Sequence, residues 1–300
     1  MVGAVAGRAP AYAAVSEEPL EAERRIGPYQ LVRRLGSGGM ATVYLATDCV
    51  LGRRVALKIP AARGETLRRF LSEARAMAQL SSPNIVRIYH FGGSARRRPW
   101  FTMEYMSGGT ADQWLLLHPS FSDALKVYLQ AGQGLAVAHA VGMVHRDFKP
   151  GNVLVDEGGR AALSDFGLAA PNLELPLAHD RKLELAARSP TKPRGFVGSP
   201  AYMAPEQIDG EIADARADIF SFCASLYEAL FKVRPFAGDT IGELRRAMRA
   251  GSLQIPPKTM LHGGLASIRD ALAIGLRHEK TERYATIAAL LAVLQGLGAP

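Results

Sequence analysis

Only two cysteines occur in the 300-residue chain, Cys49 and Cys223, far apart and in no C-x-x-C pair. Neither a disulfide framework nor a zinc site is indicated, and both are expected to be reduced, packed thiols. No stretch approaches the roughly 18 consecutive apolar residues that a membrane-spanning helix needs, which argues against a span within these residues. Met1 to Val15 is alanine-rich but lacks a leucine-type apolar core, so a cleaved signal is not expected. No internal repeat is visible. Acidic side chains are the minority, 28 Asp and Glu against 36 Lys and Arg, giving a net charge of +8 and a pI near 9.6. That balance permits nucleic-acid or acidic-membrane contact, but an arginine-rich soluble surface accounts for it, and no nucleic-acid partner is expected.

The remaining bulk properties are those of an ordinary globular protein, 48% hydrophobic and 21% charged. A chain this long can form one large domain or two packed lobes, each with its own core. The informative stretch is His145-Arg146-Asp147-Phe148-Lys149-Pro150-Gly151-Asn152, with Asp165-Phe166-Gly167 eighteen positions after Asp147. It lies between an apolar segment, Leu135 to Val144, and a β-like Val153-Leu154-Val155, so it reads as a loop joining a helix to a strand. Aspartate, lysine and asparagine within six positions suit phosphoryl transfer, where rate comes from positioning and charge neutralisation. A carboxylate takes the incoming hydroxyl's proton (Asp147) and a lysine faces the transferring phosphoryl (Lys149). An amide and a second carboxylate hold magnesium (Asn152, Asp165).

On these residues the chain resembles the catalytic domain of eukaryotic-like, Hanks-type bacterial Ser/Thr protein kinases, whose catalytic-loop template the run matches. The resemblance implies an α+β, bilobal fold with a small, mainly β N-lobe carrying one helix, called αC (27–106), and a larger, mainly α C-lobe (107–296). Residues 1–26 mix Ala, Gly, Pro and charges without period and read as a disordered tail.

The same resemblance assigns further residues along the chain. Leu35-Gly36-Ser37-Gly38-Gly39-Met40-Ala41-Thr42-Val43 is the glycine-rich hairpin whose backbone N–H groups face ATP phosphates. Ala41 stands at the pattern's third glycine, and Val43 covers adenine. Tyr29 to Leu35 alternates like a strand, and so does Val55-Ala56-Leu57-Lys58. Ala56 borders the nucleotide, and Lys58 needs partners on its apolar run: the α/β-phosphates and Glu73, which falls in the helical repeat Leu67 to Leu80. Asn84 to Tyr89 and Trp100 to Met106 read as strands around a turn whose Arg96-Arg97-Arg98 is a solvated tip. Met103 is the gatekeeper behind adenine, Glu104 to Met106 the hinge, and Leu154 the floor of the pocket. A helix is expected to start at Ser122-Asp123-Ala124 and run to 141, with Gly132 and Gly134 permitting close packing.

Asp165 to Glu206 reads as a 42-residue activation segment with an insertion at 171–188. It ends in Gly198-Ser199-Pro200-Ala201-Tyr202-Met203-Ala204-Pro205-Glu206, where Ser199 keeps a hydroxyl for Asp147 and Lys149. Glu206 is expected to pair with Arg283 and Asp218 to tether the catalytic loop, while Cys223 stands where the family usually has glycine. His145 is a packing residue, not a base. Arg146 is expected to receive phosphate placed on the segment at Thr191 or, second, Ser189.

The implied activity is transfer of the γ-phosphoryl of Mg-ATP, or Mn-ATP, to Ser/Thr hydroxyls of proteins, with self-association for autophosphorylation in trans. The implied place is the cytoplasm, or the cytoplasmic part of a longer membrane protein. Two alternatives are weaker. A pseudokinase scaffold predicts loss at Lys58, Asp147, Asn152 or Asp165, all of which are present. A small-molecule kinase does not need the Ala-Pro-Glu segment.

Overall fold

The computed structural model describes residues 25–38, 41–60, 65–93, 99–117, 119–166, 199–256 and 264–298. They fall into two compact units, one within 1–62 and 90–105, the other within 63–89 and 106–300.

The first unit is mainly antiparallel sheet. Its strands are β1 (Arg25–Ile26), β2 (Tyr29–Ser37), β3 (Ala41–Asp48), β4 (Arg53–Pro60), β5 (Ile88–Gly92) and β6 (Trp100–Met103). The sheet order is β1-β2-β3-β4-β6-β5. Strand β1 begins two residues before the 27 boundary read from composition, because Arg25 and Ile26 pair with Gln30 and Tyr29. Strand β4 buries Val55, Ala56, Leu57 and Lys58 in succession, the pattern of a strand covered on both faces. At the β3–β4 turn Asp48 Oδ1 accepts the amides of Val50 and Leu51. Cys49 there is exposed, contrary to the packed thiol expected, since the tip has no layer against which to bury it.

Strand β5 starts later than the Asn84–Tyr89 pattern suggests. Ile85 makes a parallel bridge to Leu163, and the Val86 amide donates to Leu163 O at 2.9 Å, so this part of the run is buried in the second unit instead.

The second unit contains α1 (Glu65–Ala78), α2 (Ala111–Leu115), α3 (Phe121–Ala140), α4 (Pro205–Ile208), α5 (Ala215–Phe231), α6 (Ile241–Arg249), α7 (Leu265–Gly275) and α8 (Ile287–Gly298). It also holds the short hairpin β7 (Val153–Val155) and β8 (Ala161–Leu163). Helix α5 is buried on every side, as a helix apolar all round must be. Helix α3 packs on α5, α8 and β8, and α7 packs on α5 and α8. The cap of α3 is Ser120, not Ser122: Ser120 Oγ accepts the Asp123 amide at 3.1 Å, so the cap lies two residues earlier. A side chain at Gly134 would meet Asn84 O at 2.4 Å, and one at Gly132 would meet Leu291 Cδ2 at 2.5 Å, so both glycines are sites of close approach.

Cys223 does not loosen its helix packing. The small residue is on the partner helix, where a Cβ at Gly275 would lie 2.3 Å from Cys223 Sγ. Burial pushes this thiol's pKa up. Among the described residues, no helix is long and apolar enough to cross a membrane.

Candidate active site

The catalytic-loop stretch leaves α3 through Val141 and Gly142 and is anchored from below by Asp218 in the first turn of α5. This carboxylate is fully buried and accepts three N–H groups, each at 2.8 Å: the His145 amide on Oδ2, the Arg146 amide on Oδ1, and His139 Nε2 on Oδ2. Buried acceptors need donors, and two of these three are backbone groups of the loop itself. Arg146 has φ +64°, a left-handed conformation rare for a side-chain-bearing residue. His145 is fully buried, with Nε2 3.1 Å from Ser164 O and its ring 4.7 Å from that of Phe166. It packs and braces.

Above this base, Asp147 Oδ2 receives Lys149 Nζ at 2.7 Å, and the two side chains are 25% and 27% exposed, open to a reactant. Asn152 Nδ2 donates to Asp147 O at 2.7 Å and to Oδ2 at 3.2 Å. Asn152 Oδ1 receives no hydrogen bond among the described residues. Pro150–Asn152 forms a single 3₁₀ turn closed by Asn152 N–H to Lys149 O at 3.0 Å. Phe148, between the two charged residues, turns inward to Phe222.

The β7–β8 hairpin brings the second acidic residue to the same place. Val153 pairs with Leu163, and just outside that pair the Ser164 amide and hydroxyl both donate to Asn152 O, at 2.9 and 3.2 Å. Asp165 follows directly at φ +60°, with Phe166 buried against His145. Asn152 and Asp165 thus flank one end of the hairpin. Leu154 of β7 bridges Thr110, the residue before α2, and Met106 is buried with its sulfur taking an Arg160 N–H at 3.2 Å.

In the first unit, β2 and β3 align Gly36 with Val43 and Ser37 with Thr42, and the Gly38 amide closes a turn on Ala41 O at 2.9 Å. A side chain at Gly36 or Gly38 would meet no protein atom within 4 Å. Ala41 lies in strand β3 with no positive φ, which is why glycine is not required there. Leu35 lies at the second register shift of β2, between Arg34 and Gly36. Val43 pairs with Lys58, and Ala56 with Met103, placing these four side chains on neighbouring strands. Lys58 is 7% exposed, its Nζ 5.9 Å from the Phe101 ring centre. Glu104 follows β6. Glu73 is buried on α1 in the second unit, beside buried Phe70, Ala74 and Met77. Gly39, Met40, Thr191, Ser189, Arg96-Arg97-Arg98 and the 171–188 insertion lie outside the described residues, and of Ser199 only the backbone is described.

The far end of the segment is fixed to the second unit by two acidic residues. Glu206 makes a bidentate pair with Arg283, both bonds 2.8 Å and both side chains buried. Tyr202 donates to Glu228 Oε2 at 2.6 Å, and burial together with that bond pushes its hydroxyl pKa up.

A model of the protein kinase domain matches residues 29–262. The chain belongs to the protein kinase family. It is 36% identical over 275 residues to the probable serine/threonine-protein kinase PknB of Bifidobacterium longum, an alignment covering 87% of this chain and 38% of that one. It is 34% identical over 289 residues to serine/threonine-protein kinase PknL of Mycobacterium bovis, 94% of this chain and 68% of the relative. With serine/threonine-protein kinase PrkC of Bacillus subtilis it shares 36% over 226 residues, 73% and 32%. The chain therefore spans between about a third and two thirds of the length of these bacterial relatives. Membership implies use of ATP with a divalent cation.

Three residues of this kinase domain did not stand out in the sequence. His139, six positions before His145, shares Asp218 with the loop. Ser164 ties Asn152 to His145. Gln207, next to the Ala-Pro-Glu run, donates to Arg146 O at 2.8 Å. Only the glutamine had a local signal, as a helix-start residue of the capping-box type.

Proposed function

We propose that this kinase domain transfers the γ-phosphoryl of ATP to serine or threonine hydroxyls of proteins. The observation that supports it most is the Asp147 carboxylate, braced by Lys149 and Asn152 yet open to a reactant. In this reading Asp147 orients the acceptor hydroxyl and takes its proton, and Lys149 offsets charge on the transferring phosphoryl. Lys58 and Glu73 are the residues assigned to the α/β-phosphates, with the backbone N–H groups from Gly36 to Ala41 facing the same groups. The residues assigned to adenine are Leu35, Val43, Ala56, Met103 and Leu154, with the backbone from Glu104 to Met106 reading the base. Lys149 and the serine/threonine-protein kinase names of the relatives favour Ser/Thr acceptors over tyrosine.

Asn152 Oδ1 and the Asp165 carboxylate are hard oxygen donors, the kind magnesium or manganese takes. Such an ion completes its shell with water and phosphate oxygens and takes few ligands from the protein. When bound, such an ion neutralises phosphate charge. Asn152 and Asp165 are the residues that hold it. A scaffold without turnover is not supported, since every residue this chemistry needs is present.

The test is incorporation of labelled phosphate from ATP into a generic basic protein, with magnesium and with manganese, by the wild type and by Asp147→Asn. Equal incorporation by the two across several substrates and both metals sinks the proposal.

Control by phosphorylation of the activation segment belongs to the same reading, with Thr191 first and Ser189 second, Arg146 as the receiving cation, and Ser199 on the substrate side. Mass spectrometry of active protein is expected to find phosphate at Thr191 or Ser189, and phosphorylation in trans makes its rate per molecule rise with protein concentration. Active protein unmodified at both, with Thr191→Ala fully active, removes this part. A cytoplasmic setting, in a free protein or as part of a membrane-anchored one, goes with the need for ATP.

A further inference from the structure

Gln207 uses both ends of its side-chain amide. Oε1 accepts the Ala204 amide at 3.1 Å, and Nε2 donates to Arg146 O at 2.8 Å. Neighbour chemistry fixes this orientation, because a backbone N–H can only donate and a backbone carbonyl can only accept. The side chain thus reaches from the first turn of α4, at the end of the Ser199–Glu206 stretch, to the catalytic loop.

The peptide it reaches is a critical one. Arg146 is held at φ +64° with its N–H bound to Asp218 Oδ1 at 2.8 Å. Its carbonyl shares a rigid peptide plane with the Asp147 N–H, and that N–H donates to His145 Nδ1 at the longer distance of 3.3 Å. The plane between Arg146 and Asp147 is therefore held at one edge by His145 and at the other by Gln207, and its tilt sets where the Asp147 carboxylate points. A left-handed conformation at a side-chain-bearing residue persists only where its surroundings over-determine it, and the Gln207 bond is the shorter of the two on this plane.

We infer that Gln207 is a positioning residue that locks the Arg146–Asp147 peptide and so aims the Asp147 carboxylate, tying the catalytic loop to the Ser199–Glu206 stretch. Its effect on rate rests on the kinase reading above; its effect on the loop does not. Because neither partner of the bond is among the residues assigned to the nucleotide, its loss acts on turnover and leaves nucleotide binding alone.

The experiment uses the full chain with Gln207→Glu, which keeps an acceptor for Ala204 but sets an oxygen against Arg146 O, and Gln207→Met, which removes both bonds at similar volume. Amide hydrogen exchange resolved at His145, Arg146 and Asp147 is expected to quicken by about tenfold or more in both, while the amides of α5 are unchanged. In steady-state phosphorylation kcat is expected to fall by about tenfold or more with KM for ATP within about twofold of wild type. Unchanged exchange at Asp147 overturns the inference whether or not the wild type is active, whereas failure of the kinase reading shows separately, as a wild type that incorporates no phosphate. A fall in kcat matched by a rise in KM for ATP and a lower melting temperature overturns it too, since that is general damage to the fold.

Discussion

Asp147→Asn is expected to lower the phosphorylation rate by about 10²–10⁴-fold, the span that removing a general base usually costs, or roughly 3–5 kcal/mol of barrier. The geometry makes this a test of chemistry and not of folding. Asparagine has the shape of aspartate, and its oxygen can still receive Lys149 Nζ. The bond from Asn152 Nδ2 to Asp147 O uses only the backbone of residue 147 and survives the change, as do the two amides seated on Asp218. What is lost is an acceptor for the incoming proton and the negative charge that now sits 2.7 Å from Lys149. The melting temperature and KM for ATP should therefore stay close to wild type. A variant retaining more than about a tenth of the wild-type rate would remove Asp147 from the role of base.

Arg283→Leu is expected to be as damaging to stability as Asp147→Asn is to rate. All the N–H directions of Arg283 are used: two on Glu206, and one each on the carbonyls of Arg216, Arg277 and His278, at 2.8–3.1 Å. The guanidinium also lies 5.0 Å from the Phe220 ring centre. Leucine fills part of the volume but strands a buried carboxylate, and breaking a buried pair from one side costs about 3–5 kcal/mol. For a unit of this size that lowers Tm by roughly 10 °C, readable by circular dichroism. Adding Glu206→Leu to Arg283→Leu should restore part of the loss by removing the lone charge. Restoration cannot be complete, because three backbone carbonyls remain without their donor. A melting temperature within about 2 °C of wild type for Arg283→Leu would show that the pair is not needed.

How far the sequence alone leads depends on how local each signal is. The Asp147–Asn152 run and the Asp165 that follows carry their own chemistry, and the β7–β8 hairpin between them is short enough that the structure brings them together. Glu206 and Arg283 are distant in sequence, and only a family pattern suggests that they meet. Where the reading slipped, competing signals were equally good. Ser120 and Ser122 are both acceptable helix caps, and the bond from the Asp123 amide to Ser120 Oγ marks the first as the one used. The β-like run Ile85-Val86-Arg87-Ile88-Tyr89 holds no glycine, proline or other turn residue where the chain changes from one sheet to the other, so nothing in the sequence marks the change. The thiol at Cys49 was expected inside because cysteine usually is, but a two-strand tip offers no interior. The capping-box position of Gln207 shows in the sequence, but its bond to Arg146 does not, nor does that of His139 to Asp218, because each partner is more than sixty positions away.

The hairpin has a last consequence, for how this site tolerates changes of chain length. Asn152 and Asp165 stand at its base, while Glu157 and Gly158 are exposed at its turn. Residues added at 157–158 lengthen the ribbon away from the site and leave the two oxygen donors where they are. One residue added inside Val153–Val155 instead shifts the register and turns every side chain beyond it to the opposite face. A set of single-glycine insertions through 153–163, scored for phosphorylation, should therefore switch sharply from silent at the turn to inactive in the strands. The ribbon behaves as a ruler read from one end, and equal activity at both positions would show that it measures nothing.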